Sequence, residues 1–381
     1  MSAAHWQPTA LADVLQKNSK RVPLVYDDDY KQITVRLWGK GLALRGICKG
    51  AEIAAAEQIQ VEAGQFIISK IDARHGAFGL VPPDLDGAVV SGDFPCFHVN
   101  ASRMLPRFLL WLSRTEQFVS LCRGASEGST NRVRLKEATL LTSKVALPPL
   151  SEQRRIVERL DAVSTRLKAR AEAAERQQAE LAAMLDACFA QMIVDVPRAP
   201  MAELAPLIRR PVTVVPDRSY DELGVRSFGK GTFHKPALSS LDIGNKRIFR
   251  IEPGDLIFSN VFAWEGAIAI ARPEDAGRVG SHRFITCDVD QRRITAEILR
   301  FFFLTREGLG LIGQASPGGA GRNRTLGLET LGAIRVPVPS LEAQRWFNNL
   351  HAKVAEVRTH QAAIAGDATA LLPSMLAQIF G

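Results

Sequence analysis

The chain has 381 residues, more than one hydrophobic core usually organises, so length alone points to two domains. Its hydrophobic content of 46% is that of ordinary folded protein, and a net charge of +8 with a pI near 9.4 permits a polyanionic partner. Five cysteines, Cys48, Cys96, Cys122, Cys188 and Cys287, form no CxxC pair, and their odd number excludes a fully paired disulfide framework.

From the N-terminus, Met1 to Gln16 lacks a basic start followed by an apolar run, so no signal peptide is expected. Short alternating apolar runs bounded by Gly, Pro and Asp follow, as in Gly64–Lys70, and read as strands ending in turns. Pro106 to Leu121 reads as helical. Leu147-Pro148-Pro149 then opens a long stretch in which Ile156, Leu160, Val163, Leu167, Ala171, Ala174, Gln178, Leu181, Leu185, Cys188 and Met192 recur in coiled-coil steps, with one stutter. The order then starts again. Strand patterns such as Gly254–Asn260 lead to a helical stretch from Ala296 to Ile312 and to a second proline-containing lead-in, Val336-Pro337-Val338-Pro339. Beyond it Phe347, Leu350, Val354, Val357, Gln361, Ile364, Ala368, Leu371 and Met375 form a second seam. The apolar stretch from Ile298 to Ile312 is broken by Thr305, Arg306 and Glu307 and is too short to cross a bilayer, so a soluble, cytoplasmic protein with no membrane partner is expected.

The recurrence is a duplication. Val35-Arg36-Leu37-Trp38-Gly39-Lys40-Gly41 matches Val225-Arg226-Ser227-Phe228-Gly229-Lys230-Gly231 at an offset of 190, and Gly64–Lys70 matches Gly254–Asn260 at the same offset. Gly76-Ala77, Ser91, Phe94, Ala125-Ser126 and Gly128 keep that spacing. One inserted residue makes the offset 191 where Leu147–Leu150 faces Val338–Leu341. A period this long is a whole domain rather than a solenoid unit.

Two long helices with matching seams are expected to pair. Because a strand-rich domain follows the first, the second must run back along it, giving an antiparallel pair with a domain at each end. Gln178 and Gln361 occupy seam positions where apolar residues would pack better; they either lie near solvent or face each other and fix the register. Pro373 is expected to kink the second helix without ending it, because apolar residues continue to Ile379.

The positive charge is localised. Residues 1–150 hold 18 basic and 14 acidic side chains and residues 196–339 hold 20 and 15, whereas each helix is balanced. This suits globular domains that touch phosphates and helices that act as spacers. Catalytic constellations are missing. Gly224 to Lys230 has phosphate-loop spacing, but Gly231 stands where Ser or Thr must bind magnesium, so the shared Gly-Lys-Gly is read as a turn between strands. There is no HExxH pair, metal-ligand cluster or dinucleotide fingerprint.

Leu147-Pro148-Pro149-Leu150-Ser151-Glu152-Gln153-Arg154-Arg155-Ile156-Val157, the weaker Val338-Pro339-Ser340-Leu341-Glu342-Ala343-Gln344-Arg345, and the domain-helix-domain-helix order resemble the DNA specificity subunit of type I restriction-modification systems. The resemblance covers essentially the whole chain. It implies an α+β fold of two mixed α/β target recognition domains separated by a long antiparallel two-helix coiled coil, related by an internal pseudo-two-fold repeat. The expected divisions are 1–146 and 196–337 for the recognition domains, with 147–195 and 338–381 for the spacer helices. It also implies a chain without catalytic activity. Double-stranded DNA, two modification subunits bringing S-adenosylmethionine, and restriction subunits using ATP and Mg would be its partners. Ala343 for Glu152 and Trp346 for Arg155 depart from a symmetric pattern and make the two docking surfaces unlike.

Base reading needs donors and acceptors on loops, Arg favouring guanine and Asn or Gln favouring adenine. The first candidates follow the recurring Ala-Ser-x-x-Gly segment: Asn131, Arg132 and Arg134 in one copy, and Arg322, Asn323 and Arg324 in the other. Lys40, Arg74, Lys230, Lys246 and Arg247 are phosphate candidates, and His75, His282 and Arg283 are further loop candidates. The competing readings are a stand-alone nuclease or methyltransferase, and a structural coiled-coil adaptor whose basic domains bind protein.

Overall fold

The computed structural model describes residues 5–128, 133–318 and 324–381, the side chain of Asp367 apart. The chain divides into two compact units, one of Met1–Ala174 with Gln361–Gly381 and one of Glu175–His360. Neither unit is a simple stretch of globular sequence. Each combines one strand-rich domain with one end of both long helices.

In the first unit a four-stranded sheet runs in the order Leu15–Lys17, Cys96–Val99, Phe66–Ile68, Phe78–Leu80. A five-stranded sheet is ordered Arg21–Pro23, Glu57–Gln60, Val89–Val90, Asp29–Val35, Leu42–Lys49, antiparallel except where Val89 pairs parallel with Gln32. Helices α1 (Pro106–Ser113) and α2 (Glu116–Gly124) cover Phe66 and Phe78, and α3 (Glu137–Thr142) precedes the strand Lys144–Leu147, which pairs antiparallel with Gln7–Ala10. The long α4 (Leu150–Met192) follows.

The second unit follows the same order with smaller sheets: α5 (Met201–Leu204), α6 (Ser240–Ile243), α7 (Ala296–Leu304), α8 (Arg306–Gln314) and α9 (Leu328–Ala333) lead to α10 (Leu341–Phe380), whose last part returns to the first unit. The second unit's central sheet is ordered Ile268–Ile270, Leu256–Ser259, Phe284–Cys287. The duplication holds residue by residue: Cys96 faces Ile67 as Thr286 faces Ile257, and Phe66 faces Leu80 as Leu256 faces Ile270. The helical stretches expected from Pro106 and Ala296 are each two helices. Thr115 and Thr305 break them by accepting hydrogen bonds from the backbone N–H groups of Phe118 (3.2 Å) and Gly308 (3.1 Å), which is how an N-cap starts a new helix.

The start of each long helix is held by one buried glutamine. The Gln153 amide donates to the carbonyls of Arg103 (2.8 Å) and Pro148 (2.9 Å), and its oxygen accepts from the Leu105 N–H (2.8 Å). Gln344 does the same with Arg293 (3.0 Å), Pro339 (2.8 Å) and Thr295 (2.9 Å). Both are fully buried. The motif that opens each helix therefore encodes its attachment to the loop before α1 or α7, because a side chain with two donors and an acceptor satisfies three backbone groups at once.

Within each unit the two helix ends run antiparallel. In the first, Ile156 and Leu160 of α4 share a core with Met375, Leu376, Ile379 and Phe380 of α10, and Trp6 packs edge-on to both Phe108 and Phe380. In the second, Leu185 and Phe189 meet Phe347 and Val354, with Phe301 of α7 4.7 Å from Phe189 and 4.8 Å from Phe347.

The seam expected to run the length of both helices is buried only at these ends. Ile156, Leu160, Leu185, Phe347 and Val354 are buried and Val163, Leu167, Leu181, Leu350 and Gln361 are half-buried, but Gln178, Val357, Ile364 and Leu371 are exposed. A helix pair alone covers a narrow stripe; at the ends α1 and α7 add the third wall that excludes water. Near the end of α10 the packing uses Leu372 rather than Leu371, as expected when a 3.6-residue helix drifts from a strict heptad. The helix continues through Pro373. By length and composition alone α10 contains a window apolar enough to cross a membrane. All five cysteines are free, and burial pushes the thiols of Cys96, Cys122 and Cys287 up to about 12.

Candidate nucleic-acid interface

In each unit the Gly-Lys-Gly triplet lies at a hairpin tip. In the first, Asp29–Val35 and Leu42–Lys49 are closed by the Arg36 N–H donating to the Gly41 carbonyl (2.9 Å), and Trp38, Gly39 and Gly41 have φ of 61°, 64° and 74°. The second closes Leu223–Val225 and Thr232–His234 through Arg226 and Gly231 (2.9 Å), with Phe228, Gly229 and Gly231 at 60°, 63° and 79°. Glycine adopts this backbone freely, but for a bulky aromatic the left-handed region costs about 1–3 kcal/mol. Both rings point outward: Trp38 is 71% and Phe228 75% exposed.

The tips are clamped rather than loose. The N–H groups of Trp38 and Gly39 donate to the carbonyls of His75 (2.9 Å) and Gly76 (2.8 Å); those of Phe228 and Gly229 donate to Glu265 and Gly266, both at 2.8 Å. A Cβ on Gly39 would lie 2.9 Å from Cγ of Arg114, and one on Gly229 would lie 2.7 Å from Cδ1 of Leu304, so with φ of 64° and 63° a larger residue at either position would be strained and would have to displace its neighbour. Arg300 adds a hydrogen bond of 2.5 Å to the Gly229 carbonyl, and burial lowers its pKa.

The segment that receives each tip also reaches the other candidate loops. In the first unit the Lys70 N–H donates to the Asp93 carbonyl, the Leu135 N–H donates to the Lys70 carbonyl, and Arg134 pairs with the Asp93 carboxylate, all at 2.8 Å. In the second the Asn260 N–H donates to the Arg283 carbonyl (2.7 Å), the Leu326 N–H donates to Asn260 (2.9 Å), and the Arg324 guanidinium stands 5.3 Å over the Trp264 ring. Pairing of Ile248 with Ser281 brings Lys246 and Arg247 to the same sheet end as His282 and Arg283, all four exposed.

Each unit thus gathers most of its candidates. Lys40 and Lys230 are exposed at the tips, the latter with its ammonium 5.8 Å from the Phe228 ring. Arg74 and His75 are half-buried on a single helical turn, joined by an Arg74 Nε to His75 Nε2 contact of 3.1 Å, and the His75 ring is 6.0 Å from Trp38. Arg134 is ion-paired with Asp93 while remaining exposed. Asn131, Arg132, Arg322 and Asn323 lie outside the described residues. Lys70 is also engaged, at 2.7 Å from Glu137, which Lys17 approaches at 2.6 Å. Burial alone would raise the Glu137 pKa, but hydrogen bonds from both lysines outweigh it and lower the pKa. Sequence reasoning did not select Trp38 and Phe228, although their aromatic-for-aromatic exchange beside a shared Gly-Lys-Gly was visible. Among the described residues no group of three or more His, Cys, Asp or Glu is placed to hold a metal.

Two copies of one basic α/β scaffold, each with a clamped tip, cationic loops and an antiparallel helix attachment, define a duplicated recognition protein. Residues 4–179 match the type I restriction modification DNA specificity domain. That match spans the first repeat and the start of the first long helix. Two solved structures share the fold over nearly the whole chain. The HsdS subunit from Thermoanaerobacter tengcongensis is 18% identical with a TM-score of 0.58, covering 98% of this chain and 96% of that one. A chain from a structure described as the basis of complex assembly and conformational transition of the type I R-M system is 17% identical with a TM-score of 0.68, covering 97% and 96%. No curated protein sequence matches. In fold the chain is like these two structures over nearly its whole length, and its first repeat matches the type I DNA specificity domain.

Proposed function

We propose that each unit reads one half of a bipartite DNA target and that the two halves differ, so the target is asymmetric. One observation carries this reading: equivalent positions on the same scaffold bear unlike chemistry. Arg74 and His75 stand where the second unit has Trp264 and Glu265, and Asp93 stands where it has Arg283. A shared framework with different groups on its loops binds alike and reads differently. In this reading the paired helices set the gap between the halves and dock two modification subunits. The grooves at the helix starts suit that role and differ from each other, one lined by Glu152 and Arg155, the other by Ala343 and Trp346. Exposed Val357, Ile364 and Leu371 give α10 apolar surface for the same partners. Its ends are buried in the two cores, which favours a pairing helix over a membrane span.

S-adenosylmethionine would be held by the modification subunits, ATP and Mg by restriction subunits, and this chain would contribute no catalysis of its own. Mapping methylated adenines in the source genome tests the reading. The expected result is one motif of two unlike half-sites at fixed separation, with a salt-sensitive footprint of the purified assembly protecting both halves. A palindromic motif would refute the asymmetry, absence of a footprint would favour the protein-binding adaptor, and methyl transfer by the chain alone would revive an enzyme.

A further inference from the structure

We propose that Trp38 and Phe228 are base-contacting wedges, each placing its ring against a base step of the DNA duplex in its own half of the target, with Lys40 and Lys230 on the adjoining phosphates. The inference rests on the DNA-reading function proposed above and goes beyond it by naming the residues and the kind of contact. Four non-glycine residues among those described have positive φ: Trp38, Asp195, Asp217 and Phe228. Aspartate tolerates that backbone, whereas an aromatic does not, so only two of the four are costly. These two occupy the same position in both copies.

Packing does not explain the strain, because neither ring enters a core; they are 71% and 75% exposed. Flexibility does not explain it either. Each tip is fixed by two backbone hydrogen bonds of 2.8–2.9 Å and by a closely packed glycine at positive φ. The framework therefore holds a rigid ring in water at an energetic cost, twice, beside an exposed lysine. Cations and an outward aromatic suit a polyanion whose bases present apolar faces: the charges meet phosphates while the ring unstacks or abuts a base step. Phe has no hydrogen-bonding group and Trp has only its indole N–H, so what the two copies share at this position is the ring face, which points to stacking or wedging.

Glycine at these positions gives the sharpest test, since it relieves the backbone strain and removes the ring together. Trp38→Gly and Phe228→Gly, made in the full chain assembled with its modification subunits, are expected to melt no lower than the parent. Each should bind the mapped target duplex roughly 5- to 150-fold more weakly, the range for loss of one stacked base. The slope of log affinity against log salt should stay unchanged, while Lys40→Ala or Lys230→Ala should reduce it by about one. Trp38→Phe and Phe228→Trp should bind within a few-fold of the parent. A 2-aminopurine placed in each half-site should brighten on binding of the parent and not of the corresponding glycine variant. If the parent binds its target and both glycine variants bind equally well with the same fluorescence, the wedge is overturned and DNA reading stands. If the parent itself protects no DNA, both ideas fall.

Discussion

Gln153 and Gln344 illustrate how a single side chain turns a sequence motif into architecture. Each satisfies three buried backbone groups at the point where a long helix leaves its domain. Gln153→Ala leaves those groups without partners in a site closed to water, and it should destabilise the first unit by about 3 kcal/mol. Differential scanning calorimetry should show one transition moving down while that of the second unit holds; a variant melting like the parent would show that water replaces the amide. The recurrence of Gln at the start of each long helix was legible in the sequence, and so was the docking of two helices there. Its burial was not, because glutamine between Glu152 and Arg154 reads as part of a solvated polar face. Trp38 and Phe228 were hidden for the opposite reason. A lone aromatic usually signals core, and only backbone geometry reveals that these two are held outside it.

The hairpins show the same framework stabilised by different chemistry. In the first unit Leu42 and Leu85 are buried in one apolar cluster; at the equivalent positions, 190 residues on, stand Thr232 and Asp275. Thr232 donates to Asp275 at 2.7 Å and the His234 ring nitrogen lies at 2.9 Å, so a fully buried carboxylate pins the strand behind the Phe228 tip. Burial alone would raise its pKa, but hydrogen bonds from the Arg272 N–H, Thr232, His234 and the Arg272 side chain outweigh it, and the net shift is downward. A depressed carboxylate pKa contributes stability above the ordinary value of 3.8 that is lost as pH falls through the folded-state value. Acidification below about pH 4 should therefore weaken the second hairpin through this group, which the first lacks. Asp275→Asn should flatten the acid limb of unfolding of the second unit and lower its stability by about 2 kcal/mol at neutral pH. An unchanged acid limb would assign that pH dependence to other carboxylates. A repeat search finds the matching glycines and aromatics and passes over this pair, since an apolar contact and a hydrogen-bonded one share no residue type. The seam failed in the same physical sense: the heptads were correct as spacing, but spacing does not say where a third element closes the groove.

At the scale of the molecule, chain order and spatial order differ. Divisions near 147, 196 and 338 describe the sequence as domain, helix, domain, helix, yet the compact units are Met1–Ala174 with Gln361–Gly381, and Glu175–His360. Met375, Leu376, Ile379 and Phe380 are part of the first unit's core. Burying such side chains contributes about 1.5–3 kcal/mol each, so a chain ending at His360 loses an amount comparable with the whole stability of a small domain. In hydrogen exchange of that truncated chain, amides of Phe66–Ile68 should lose protection while those of Leu256–Ser259 keep it. Equal protection in both would mean that the first unit closes without the end of α10.

That interleaving sets a timetable for biogenesis. The first unit leaves the ribosome early but lacks part of its core until Gln361–Gly381 emerges, whereas the second is a continuous segment, Glu175–His360. At about 5–20 residues per second, roughly 10–40 s separates the synthesis of Ala174 from that of Gln361. Throughout that interval Trp6, Phe108 and the apolar start of α4 have no α10 to cover them. The unit begun first is completed after the second, and a nascent-chain chaperone would find its exposed surface there.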